Sequence, residues 1–126
     1  MAMTPNFAAT PRCGVGTISV AETSRTAPAS FTNIFAAGAN GSRIDEVNIV
    51  ATGSTTAGVV RLFVFNGSNY FLLQEVLVTG ITPSATIASF NSVVTYNNLM
   101  LPSGSSLVAT TNNAEPFAIT AFGGDF

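Results

Sequence analysis

The chain has 126 residues with four Arg, no Lys and no His, against six Asp and Glu, for a formal net charge of −2. Only 8% of its residues are charged while 47% are hydrophobic, where an ordinary soluble domain is about a quarter charged. Four scattered cations make no phosphate-binding stripe, and the titratable groups that catalysis draws on are almost missing, so the composition argues against nucleic-acid binding and against an enzyme.

A chain of this length is one domain, long enough to bury roughly two-thirds of the surface that its unfolded form exposes. No disulfide or metal is needed to hold it. The single cysteine, Cys13, has no internal partner and is expected to be a small buried or half-buried apolar residue. No apolar stretch reaches the ~18 residues of a membrane span, so no membrane partner is expected. The first ten residues lack the basic start and apolar core of a signal peptide, which points to synthesis in a cytoplasm. Polarity comes from 16 Thr, 12 Ser and 11 Asn. With 10 Phe beside them, the chain is too aromatic to be a disordered tract.

The expected elements begin with an extended N-terminal arm over residues 1–13, where Pro5 and Pro11 discourage helix and central-strand pairing. The remainder, 14–126, reads as one β domain. No helical periodicity occurs; Val, Ile, Thr and Phe runs alternate with Gly, Pro, Asn and Ser clusters. Strands are expected at 15–22, 31–37, 43–52, 59–65, 70–79, 85–96, 105–110 and 117–122. Asn40-Gly41 and Asn66-Gly67 supply turns that accept positive φ. In the third strand Val47, Ile49 and Ala51 share one face. Eight strands at this spacing predict an all-β, eight-stranded antiparallel β-sandwich, jelly-roll-like.

The hairpin 59–79 departs from ordinary alternation. Val60, Leu62 and Val64 fall on one face of its first strand, and Val59, Phe63 and Phe65 on the other, interrupted only by Arg61. The returning strand sets Phe71, Leu73 and Leu77 against Leu72, Val76 and Val78. A two-layered sandwich has no third layer for the second face, so either other loops fold over it or another copy covers it. The contact between copies is the stronger expectation. It makes Val60, Leu62, Val64, Phe71, Leu73, Leu77 and Arg61 the candidate interface, with Phe126 of the pliable Gly123-Gly124 tail docking in a neighbour.

Conventional sites are not legible. Adjacent Asp45 and Glu46 point to opposite faces of a strand and cannot share a substrate. Serines have no histidine to activate them, and no loop has calcium-ligand spacing; no cofactor or metal is expected. Arg43 and Arg61, placed within strands, call for ion partners among Asp45, Glu46 and Glu75.

Several stretches resemble a group of small proteins encoded in tailed-bacteriophage genomes near the capsid genes. They are Arg43-Ile44-Asp45, the run from Ala51 to Phe63, Leu73-Gln74-Glu75-Val76, Leu101-Pro102-Ser103-Gly104 and the ending Ala121-Phe122-Gly123-Gly124-Asp125-Phe126. The resemblance spans about two-thirds of the chain. It implies a virion protein: a capsid decoration (cement) protein, a homotrimer that binds the major capsid protein on the outer shell. A receptor- or glycan-binding module of a tail fibre or spike is the alternative. The lack of Trp, with only Tyr70 and Tyr96 as tyrosines, counts against that alternative.

Overall fold

In the computed structural model of the chain the described residues are 10–126. They form eight strands: β1 Thr10–Ile18, β2 Thr32–Ala36, β3 Ser42–Ala51, β4 Gly58–Phe65, β5 Tyr70–Val78, β6 Asn91–Leu101, β7 Ser106–Thr111 and β8 Phe117–Asp125. All pairings between them are antiparallel. The strands make two four-stranded sheets, β1-β8-β3-β6 and β2-β7-β4-β5. The all-β expectation therefore holds. Pairing is nested: β1 with β8, β2 with β7, β3 with β6 and β4 with β5. The pairs β3–β8 and β4–β7 complete the sheets.

Two strands lie away from their expected positions. The first was expected at 15–22 and runs from Thr10 to Ile18. Pro11 is tolerated because β1 is an edge strand, bonded only to β8, where one row of backbone groups needs no partner. Thr10 to Cys13, expected in the arm, are thus part of a sheet; the rest of the expected arm, residues 1–9, lies outside the described residues. The sixth strand was expected at 85–96 and runs from Asn91 to Leu101. Ser84 and Ile87 instead close a tight turn through mutual backbone hydrogen bonds of 2.9 and 3.3 Å.

The core lies between the sheets. Ile44, Val47, Ile49, Phe117, Ile119 and Ala121 face inward from the first sheet, and Phe35, Val60, Leu62, Leu107 and Ala109 from the second, all fully buried. The expected inward face of the third strand, with Val47, Ile49 and Ala51, is correct. A bulge between Ile44 and Glu46 resets its alternation at Asp45, so the simple two-face reading of Asp45 and Glu46 does not apply. The β4–β5 turn forms as expected. Gly67 takes φ +96°, and Asn66 Oδ1 accepts the Ser68 and Asn69 N–H groups at 3.0 and 2.8 Å.

The sheets approach most closely where β1 passes β2. A Cβ on Gly14 would collide with the Ile34 carbonyl oxygen, so only glycine permits this approach. Beside it, the Arg12 guanidinium lies 3.9 Å from the centre of the Phe35 ring and binds Asp125 Oδ1 at 2.9 Å. The Ser42 hydroxyl donates to the same oxygen at 2.6 Å. β1, β3 and β8 are thereby clasped at one end.

Gly14→Ala should lower stability by about 1–3 kcal/mol, the usual cost of overpacking, seen as a melting temperature lower by several degrees; an unchanged melt would contradict the close approach. The Ser42 hydrogen bond, and then Arg12, hold the Asp125 carboxyl below its ordinary pKa. A carboxyl depressed in the folded state adds stability above its unfolded value of about 3.9, and that stability is lost as pH falls through the folded value. Asp125→Asn should therefore be less stable than wild type at neutral pH. The difference should shrink below about pH 4, as measured by urea titration at several pH values.

Candidate interaction surfaces

β4 is central in its sheet, between β7 and β5, and both of its faces are covered. Val60 and Leu62 belong wholly to the core, and Val64 packs half-buried against it. On the opposite face Phe63 and Arg61 are 0% and 2% exposed, as are Val108 and Thr110 of β7 at 1% each. The cover comes from this chain. Residues 19–31, which join β1 to β2, cross the outer face as a strap.

The strap is tied down by backbone and charge. Glu22 N–H donates to the Thr111 carbonyl at 2.8 Å, and Ala21 bridges to Thr111. The Arg61 guanidinium donates to the Glu22 carbonyl at 3.1 Å and to Asn112 Oδ1 at 3.3 and 3.4 Å. It also lies 3.8 Å from Glu75. Arg25 of the strap grips Glu75 directly at 2.7 Å. That hydrogen bond, with the charge beside it, lowers the Glu75 pKa and raises that of Arg25. At the strap's end Phe31 sits 5.1 Å from Tyr70 and 6.5 Å from Phe65, ring centre to ring centre, and Tyr70 stacks on Phe65 at 4.4 Å.

The expected interface residues consequently separate. Val60 and Leu62 are buried in the core between the sheets, and Arg61 is buried on the opposite face against the strap, so all three are covered within a single copy. The sequence offered this as the weaker alternative. Leu73 is half-buried against the core, and Phe126 is half-buried with its N–H on the Gly41 carbonyl at 3.1 Å. Phe71 and Leu77, with Leu72 beside them, remain exposed on β5, Leu77 by 72%. β5 is an edge strand whose outer row of backbone groups has no partner among the described residues. Arg43 pairs with Asp45 at 2.8 Å, within the partner set expected for it.

A second surface was not anticipated. Among the described residues no segment covers the outer face of β1-β8-β3-β6, and Val15, Val50, Val93, Met100 and Phe122 stand exposed on it. Cys13 is exposed on the same face, not buried as expected. Asn48, Thr95 and Thr120 lie between these residues. The signal was present in the sequence as Cys13, Val15 and Thr17 at alternate positions of β1 and Asn91, Val93 and Thr95 at alternate positions of β6, but the displaced boundaries of those strands hid it. Among the described residues no group of three or more His, Cys, Asp or Glu is placed to hold a metal ion.

A scan against protein-family models gives no match to this chain, and a search of curated proteins gives no match either.

The two parts of the hairpin should respond differently to substitution. Leu62→Ala should cost about 2–5 kcal/mol of folding stability, as for other core leucines. Leu77→Asp should keep the far-ultraviolet circular dichroism of the fold and change its urea midpoint little, as for other surface substitutions. Equal effects of the two on the fold would contradict the placement of Leu77 at the surface.

Proposed function

We propose that this protein is a structural component of a tailed-phage virion, a capsid decoration protein that acts by adhesion. In this reading the strand order β1-β8-β3-β6 over β2-β7-β4-β5 is a jelly roll, two Greek keys wrapped as one nested ribbon. The observation that carries the reading is the pair of sparsely charged, partly apolar surfaces left exposed by the described residues of one small domain. A protein that presents two such faces is suited to join like copies on one side and a different partner on the other.

The exposed edge strand β5, with Leu72 and Leu77 on its outer side and Phe71 on the other, serves contacts between copies in a homotrimer. The outer face of β1-β8-β3-β6 meets the major capsid protein. Burial returns about 25 cal/mol per Å² of apolar surface, while association costs on the order of 4–15 kcal/mol. One small domain holds a shell only weakly on those terms. Three linked copies gain by effective concentration without any new kind of contact. The resemblance of segment 43–126 to phage-encoded proteins supports the same reading.

Light scattering in solution is expected to give a mass of three times 12.9 kDa. The protein should co-sediment saturably with purified capsids of the phage that encodes it, and raise the temperature at which they rupture. Val93→Asp should abolish capsid binding while leaving the trimer mass intact. A stable monomer that ignores capsids overturns the proposal.

A further inference from the structure

A shallow cleft of about 290 Å³ opens where the strap leaves β1 and returns to β2. Thr17, Ser19, Ser30, Thr32 and Thr110 line it, with Ile18, Val20 and Phe31. Five of these eight residues carry hydroxyls, and none carries a charge. The walls are fastened to each other: Thr32 Oγ1 donates to the Thr17 carbonyl at 2.8 Å, so the cleft is built before any ligand arrives. Thr110 lies at its back, 1% exposed, and its hydroxyl has no hydrogen-bond partner. A buried hydroxyl left unpaired costs about 1–3 kcal/mol, and native structures rarely keep one without a reason.

We propose that this cleft binds the terminal pyranose of a neutral glycan. Three features select that chemistry. A polyhydroxylated ring has the donors and acceptors to meet several hydroxyls at once. Its C–H face suits the Phe31 ring, which is 40% exposed and is backed by Tyr70 and Phe65, so it is held in place before binding. The ligand must also be uncharged, since all four arginines are already engaged: Arg12 with Asp125, Arg25 and Arg61 with Glu75, and Arg43 with Asp45. A carboxylated sugar would find no counter-charge here. The site does not rest on the capsid reading.

The test is saturation-transfer NMR on the full chain with the methyl pyranosides of glucose, galactose, mannose and N-acetylglucosamine, beside 3′-sialyllactose and glycerol. At least one neutral pyranoside should show transfer with a Kd of about 1–10 mM, ordinary for a single small ring. A trisaccharide ending in that ring should bind at least as tightly. Thr110→Val keeps the side chain's shape and removes the hydroxyl; it and Phe31→Ala should each weaken binding about tenfold, with Ser30→Ala as a third variant should Phe31→Ala fail to fold. Absence of transfer from every neutral pyranoside overturns the proposal. So does binding unchanged in Thr110→Val and Ser30→Ala, equal binding of sialyllactose or glycerol, or exclusion of the trisaccharide.

Discussion

The buried guanidinium of Arg61 governs the arrangement of this molecule. A charge taken out of water costs several kcal/mol unless it is paired and hydrogen-bonded. Arg61 is 2% exposed and finds its partners on three separate segments: the Glu22 carbonyl, Asn112 and Glu75. Lifting the strap would strip one of these and break the Arg25–Glu75 pair as well. The strap therefore belongs to the fold, and it decides which half of the β4–β5 hairpin is surface. It also presents Phe31 to Tyr70 and Phe65 and shapes the cleft beside it.

The nested pairing makes the two sides of the sandwich unlike. On one side β1 and β2 come close, and Gly14 has no side chain to keep them apart. On the other side β5 and β6 each end a sheet, joined by a long connection rich in Thr, Ser and Ala. Edge strands invite pairing with other chains. β5 answers partly by a bulge, where Leu62 and Phe63 pair with Gln74 and Leu72 and leave Leu73 over; a bulge twists an edge away from flat pairing. That edge therefore offers a partner exposed side chains such as Leu77 rather than a flat row of backbone groups.

Much of this fold was legible in the residues. Turn pairs such as Asn66-Gly67 and the alternation of Val47, Ile49 and Ala51 act locally, and local signals place six of the eight strands to within about three residues. β1 and β6 slipped for a shared reason. Pro11 and the Asn97-Asn98 pair are strand-breaking by propensity but sit on edge strands, where tertiary position outweighs propensity. The two-sided apolar character of the hairpin was also legible. What covers it was not, because a polar loop such as 19–31 gives no sign of packing until Arg61 has found Glu22 across 39 residues. The outer face of β1-β8-β3-β6 needed the correct β1 and β6 boundaries before its valines aligned.

The scarcity of charge then acquires a physical sense. Each arginine is committed to a carboxylate that fixes a segment: Arg12 and Asp125 clasp three strands, Arg25 and Arg61 share Glu75 to hold the strap, and Arg43 meets Asp45 at a bulge. Few charges remain to project a field, so a partner would not be steered from a distance, and its encounter would fall in the slower neutral range of about 10⁵–10⁶ M⁻¹s⁻¹. Threonine, serine and asparagine keep the remaining surface wet at modest desolvation cost. A surface of that kind discriminates only at contact, by shape and hydrogen bonding. A partner bound to such a surface would be held with little sensitivity to salt, because Debye screening weakens charge interactions and leaves apolar burial in place.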